Sequence, residues 1–123
     1  MRPLSVVIAQ KDSNSSEVLI KSLWNHFRVV HAAHDLNELR SMIPQHRIDV
    51  AVVDLELADL AHIKQLKHEF AEIVIVCTHR LADESMWVEA LAAGAADCCH
   101  SSDVRSIVLA VTSTKLLPHS HAA

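Results

Sequence analysis

Two successive apolar runs in this chain end in groups that can do chemistry. Ile48-Asp-Val-Ala-Val-Val-Asp54 reads as a buried parallel strand that hands a carboxylate to solvent at its C-terminal tip, and Ile73-Val-Ile-Val-Cys-Thr78 ends the same way in a hydroxyl. In an open α/β sheet the carboxyl ends of neighbouring strands form the crevice in which chemistry collects, so Asp54 and Thr78 point to one shared site. A second constellation lies beside it. Cys77-Thr-His79 and Cys98-Cys-His100 are two Cys-x-His units on strands expected to be adjacent. Because side chains alternate along a strand, Cys77 and His79 share a face, as do Cys98 and His100, and the four make a candidate zinc set. The competing reading is that these cysteines are buried core residues, the usual place for a cysteine.

Other chemistries find little support. Ten histidines are many for 123 residues, and a cluster of them would sense pH. They are scattered through helices, loops and tail, which favours solvated surface positions. Ser, His and Asp occur without a nucleophile elbow. The single glycine, Gly94, excludes a phosphate-cradling loop and with it a nucleotide-binding Rossmann reading.

The elements that must position Asp54 and Thr78 follow from patterning. Leu4 to Ala9 is a first strand, followed by the polar stretch Gln10-Lys11-Asp12-Ser13-Asn14, in which Asn14 with Glu17 is expected to form a capping box. A helix then runs to about His26, with Leu19, Ile20, Leu23, Trp24 and Phe27 at spacings of three and four. Val29-Val30 make a short second strand. Asp35 with Glu38 caps a helix carrying Leu36, Leu39 and Ile43, which Pro44 is expected to end. A third helix is expected from about Ala58 to Phe70, and a fourth opens at Asp83 and closes at Gly94, a left-handed C-cap position. In that fourth helix Trp87 keeps helical spacing with Ala90 and Leu91, which predicts a core position for it. Asp97 to His100 is a short fifth strand, and Ser102 is expected to cap a last helix with Val104, Ile107, Val108 and Val111 on one face. Strands alternating with helices predict a parallel sheet covered on both faces by right-handed crossovers.

Composition sets the outer limits. At 123 residues the chain is one domain, read as residues 1–117 with a frayed tail over 118–123. A net charge of −4 with dispersed Lys and Arg leaves no basic stripe for a phosphate backbone, so direct nucleic-acid binding is not expected. No apolar stretch reaches the roughly 18 residues of a membrane-spanning helix, and the N-terminus reads as a strand, which predicts a cytoplasmic protein. Three cysteines without framework spacing agree with reduced thiols.

The order of parts, with Val52-Val53-Asp54 ending the third strand, Thr78 ending the fourth and Gly94-Ala95-Ala96-Asp97 leading into the fifth, resembles the receiver domain of bacterial response regulators. The likeness runs from Leu4 to about Leu116. It implies a doubly wound (βα)5 three-layer sandwich of the CheY-like, flavodoxin-like kind with strand order 2-1-3-4-5. It also implies a signalling domain rather than an enzyme, with Asp54 as phosphoacceptor and Thr78 as the residue that bonds the phosphoryl oxygen. Receivers carry an acidic pair after the first strand that binds Mg²⁺, and this chain has Gln10-Lys11 there, with Asp12 one position further on. They carry a lysine and a proline at the end of the fifth strand, where Ser101 and Ser102 stand, and an aromatic residue in its middle, where Cys98 stands. The Met-Pro-Gly-x-Asp-Gly loop is replaced by Leu55-Glu-Leu-Ala-Asp-Leu60. The carbonyl that would ligate the metal belongs to Glu56.

The resemblance is therefore to an atypical, or pseudo-, receiver. Mg²⁺, held at best by Asp54, Asp12 and Glu56, is expected to bind weakly, and no other cofactor is implied. Two outcomes are open for Lys11: a resident ion pair with Asp54 in place of the metal, or a side chain that points to solvent as most lysines do. The partners implied are a protein or a fused output domain, and a second copy through the face made by the fourth helix, fifth strand and fifth helix. On that face Trp87 or Met86 is the candidate anchor, with Arg105 and Lys115 at the rim. Two other readings stay open: a working phosphoacceptor in a two-component relay, and a small metal-binding or redox protein using Cys77, Cys98 and His100.

Overall fold

The computed structural model describes residues 4–27 and 29–113; the expected tail over 118–123, Lys115 and the limit of the likeness at Leu116 lie outside the described residues. Ten elements alternate along the chain: β1 (Ser5–Ala9), α1 (Ser13–Leu23), β2 (Val29–Ala33), α2 (Leu36–Gln45), β3 (Val50–Asp54), α3 (Leu60–Glu69), β4 (Val74–His79), α4 (Glu84–Ala92), β5 (Asp97–His100) and α5 (Val104–Ser113). The strands form one parallel sheet in the order β2-β1-β3-β4-β5, as the resemblance implied. Alternation along the strands sorts the core into two layers. Val7, Ala9, Ala51, Val53, Ile75 and Cys77 face Leu39 and Ile43 of α2, Ile63 and Leu66 of α3 and Ala90 of α4. Val6, Ile8, Val50, Val52, Val76 and Cys99 face Leu19 and Leu23 of α1 and Ile107 and Val111 of α5. All five residues of β3 are buried, which explains its unbroken apolar run.

Several boundaries differ from the expected ones, each for a local reason. Asp12, not Asn14, caps α1: its carboxylate accepts from the N–H of Ser15 at 3.1 Å, so the Asn14/Glu17 pair falls inside the helix. Asp59 caps α3, which begins after Ala58. Asp103, not Ser102, opens α5 by accepting from the N–H and hydroxyl of Ser106 at 3.1 and 2.7 Å, while the Ser102 hydroxyl is spent on His100 Nδ1 at 2.8 Å. Pro44 lies inside α2 rather than ending it. In the last turn a missing N–H costs a single bond. The reversal comes three residues after Pro44, where Arg47 (φ 50°) lets the N–H of Ile48 reach the carbonyl of Ile43 at 3.0 Å. β2 is longer than its two most apolar residues, and β4 continues through Thr78 to His79.

Gly94 meets its expectation. At φ 111° it ends α4, with the N–H of Ala95 bonding the carbonyl of Ala90 at 3.0 Å. A Cβ there would stand 2.8 Å from Cγ of Lys67. The Lys67 stem therefore lies against the glycine while its ammonium donates to the carbonyl of Ile73 at 2.7 Å.

Trp87 is a correction. It is 44% exposed, and its indole N–H donates to Asp97 Oδ1 at 3.0 Å. The inward face of α4 is Met86, Ala90 and Ala93, one position round the helix from Trp87.

Candidate functional site

The C-terminal tips of β1, β3, β4 and β5 open into a crevice of ≈ 590 Å³ lined by Gln10, Lys11, Asp12, Ser15, Asp54, Glu56, Arg80 and Ser101. Asp54 and Thr78 are register partners on neighbouring strands, so the two strand ends singled out from sequence do meet. Asp54 is buried, and main-chain donors hold its carboxylate: Lys11 N–H to Oδ2 at 3.1 Å and Glu56 N–H to Oδ1 at 2.9 Å. Its own carbonyl accepts from the N–H groups of Leu57 and Ala58 at 2.9 and 3.0 Å, which shapes the turn after β3. A buried carboxylate needs such donors, and these come from backbone that cannot swing away.

Lys11 touches Asp54 through its backbone alone. Its side chain is exposed, and among the described residues no ion pair joins its ammonium to Asp54. Of the two readings open for Lys11 the solvent-facing one holds, and the contact with Asp54 is made by the amide, because Lys11 sits in the turn between β1 and α1 with its main-chain N–H facing the crevice. The charge pair at this mouth is a different one, Arg80 Nε to Glu56 Oε2 at 2.9 Å. Being solvent-exposed, it contributes at most about 1 kcal/mol.

Gln10 and Thr78 form the buried polar pair of the site. Gln10 is 4% exposed and Thr78 has no exposure. The Gln10 amide N–H donates to Thr78 Oγ1 at 3.0 Å, and the hydroxyl is directed back to Gln10 Oε1 at 3.4 Å. The resemblance implied an acid at the position of Gln10, and nothing in the sequence signalled that its amide would seek out Thr78.

The donor set can be tested against a Mg²⁺ ion, which asks for several oxygens, carboxylates above all. Asp54 is the carboxylate at the centre. Asp12 turns to cap α1, where it also accepts from the Ser15 hydroxyl at 3.0 Å, and Glu56 is paired with Arg80. Gln10 offers an amide already bonded to Thr78. Asp12 and Glu56, the other carboxylates that line the crevice, are thus each engaged in contacts of their own. Ser101 lines the crevice as the resemblance predicted, with its N–H given to the carbonyl of His79 at 3.1 Å, and it brings no positive charge.

The zinc set does not assemble. The register aligns Cys77 with Cys98 and His79 with His100, as expected. The thiols, however, belong to the apolar core, and the imidazoles fold back into their own turns. His79 Nδ1 accepts from the N–H of Leu81 at 2.9 Å, and His100 Nδ1 accepts from that of Ser102 at 3.1 Å. Among the described residues no three His, Cys, Asp or Glu gather to hold a metal ion. Burial, reinforced by Cys98 and Cys99, pushes the Cys77 thiol up to about 12, and burial with Asp97 does the same to Cys99. Burial also raises Cys98. These are protonated core thiols with little nucleophilic character.

One contact had no precursor in the sequence reading. The rings of His31 on β2 and His46 after α2 stack with centroids 4.1 Å apart and planes at 22°. Burial, and then His46, lower the pKa of His31 below its ordinary value.

Compared by sequence, the chain matches no family model and none of the curated proteins. Compared by structure, it is similar to receiver domains throughout. A response regulator from Thermotoga maritima superposes with a TM-score of 0.82 at 17% identity, covering 91% of this chain and 97% of that one. The signal receiver domain of a DNA-binding response regulator from Colwellia psychrerythraea gives 0.79 at 18%, covering 92% and 97%. A complex of CheX with CheY, beryllium fluoride and magnesium from Borrelia burgdorferi gives 0.81 at 17%, covering 92% and 90%. At such identities the shared property is architecture: the chain has the CheY-like, receiver-type (βα)5 fold.

Proposed function

We propose that this chain is an atypical receiver module in two-component signalling, acting through contact with a partner protein or control of an output domain, with weak or absent Mg²⁺-dependent phosphorylation of Asp54. The observation that carries this reading is Gln10. Where a receiver needs a carboxylate to hold Mg²⁺ against the charge of a transferring phosphoryl group, this chain has a buried amide committed to Thr78. Lys11 beside it is a cation in place of the second acid, and Ser101 leaves the lysine position without charge.

A protein partner agrees with the CheX-bound neighbour. A second copy would dock on the α4-β5-α5 face, where Trp87 and Val88 on α4 and Leu109 on α5 are exposed apolar groups. The net charge of −4 argues against nucleic acid as the direct partner. Among the described residues no helix is long and apolar enough to cross a membrane.

A second reading rests on the side-by-side Asp54 and Thr78: a phosphoacceptor of a working relay. Incubation with acetyl phosphate and Mg²⁺ followed by intact mass measurement separates the two. The atypical reading requires that little protein gain one phosphate, and that Gln10→Asp/Lys11→Asp raise the modified fraction. Stoichiometric addition to the unaltered chain supports the relay instead.

A further inference from the structure

β1 and β4 are not neighbours in the sheet, because β3 lies between them. The Gln10–Thr78 bond therefore reaches across the tip of β3, spanning two strand spacings or about 10 Å. Both ends are buried, and among the described residues each side chain bonds the other. Separating them would leave an amide and a hydroxyl unpaired away from water, which keeps the contact closed. The residue after Thr78 ends β4, and the next three, Arg80 to Ala82, lead to α4 with Leu81 73% exposed. Thr78, the residue before the segment His79–Ala82, is tied by Gln10 to the end of β1; the segment itself is tied by the Arg80–Glu56 ion pair to the turn after β3, by the carbonyl of His79 to Ser101 after β5, and internally by the Leu81 N–H on His79 Nδ1. The tie through Gln10 is the buried one; the ion pair is open to solvent.

We propose that Gln10 is a latch residue: its amide, gripping Thr78 across Asp54, sets the conformation of the segment His79–Ala82 and so the presentation of Leu81. The inference rests on the reading of the crevice as a signalling element and assigns its regulation to a resident side chain.

Amide hydrogen exchange on the full chain, read by mass spectrometry, tests it. Gln10→Leu removes the grip, and Gln10→Asn keeps an amide one methylene short of Thr78. Each should speed exchange over residues 79–82 about tenfold, as expected for loss of one buried polar pair. Thr78→Val should do the same, Thr78→Ser should leave the segment as protected as the parent, and Gln10→Leu/Thr78→Val should add nothing to either single change. Acceleration confined to residues 10–16, or multiplying effects in the double variant, overturns the latch. The outcome is independent of the phosphate test: a latch that fails leaves an unphosphorylated Asp54 unexplained but real, and a phosphorylated Asp54 leaves the exchange result standing.

Discussion

Gln10→Glu is the sharpest test of the crevice, because it changes charge without changing size. The substitution sets a carboxylate oxygen where an amide nitrogen now lies 3.0 Å from Thr78 Oγ1, at a position 4% exposed and beside an Asp54 that is 5% exposed. Burial and the neighbouring charge both disfavour the new anion, so its pKa in the folded protein rises above the unfolded value of about 4.3. A group with a raised folded pKa stabilises below its unfolded value and loses that contribution as pH climbs through the folded one. A rise of about two units costs about 2.7 kcal/mol at neutral pH and almost nothing at pH 4. Urea unfolding followed by circular dichroism should show that deficit against the parent at pH 7 and its disappearance near pH 4.

Magnesium supplies the second half of the experiment. With a second carboxylate directly beside Asp54, the variant at a Mg²⁺ concentration ten times its dissociation constant gains about 1.4 kcal/mol. The parent should gain less than about 0.4 kcal/mol, the value when concentration only equals that constant. Equal stabilisation of parent and variant by Mg²⁺, at matched ionic strength, refutes the argument that Gln10 keeps the cation out. Equal stability of the two at pH 7 refutes the claim that the position is desolvated.

Three further outcomes are expected. Gly94→Ala combines a left-handed backbone with a Cβ 2.8 Å from Lys67 Cγ, and should lower unfolding stability by about 1–3 kcal/mol; a neutral result in urea melts would mean that the α4 turn relaxes freely. Cys77 and Cys99, pushed from 9.0 to about 12, stabilise as neutral thiols below pH 9 and lose that contribution as pH climbs towards 12. Ellman's reagent at pH 8 should accordingly label them only as fast as the chain unfolds, and rapid native-state labelling would contradict their burial. His31, lowered from 6.5, favours its neutral form in the fold, so stability present above pH 6.5 declines as pH falls through the lower folded value. The fall in Tm between pH 7.5 and 5 should be smaller in His46→Gln; an unchanged fall would show that the stacked pair does not carry it.

The central strands were legible in sequence because β3 and β4 are buried on both faces and so read as unbroken apolar runs that end in Asp54 and Thr78. Helix starts were harder. Asp12 and Asp103 outcompeted Asn14 and Ser102 as caps, a choice between polar residues one or two positions apart that periodicity does not resolve. Trp87 was misplaced because α4 is short and buries chiefly alanine, so one step of rotation separates core from surface.

By itself the sequence determined the alternation of strands and helices and the placing of Asp54 and Thr78 at the C-terminal ends of successive strands. These follow from residue type and from periods of two and 3.6, which are local properties of the chain. Only the tertiary structure decided how Gln10 and Lys11 are used: the Lys11 backbone on Asp54, its side chain in solvent, and the Gln10 amide across β3 on Thr78. Those choices depend on strand order and on which polar groups are left without water. A bond between residues 68 positions apart has no trace in either neighbourhood.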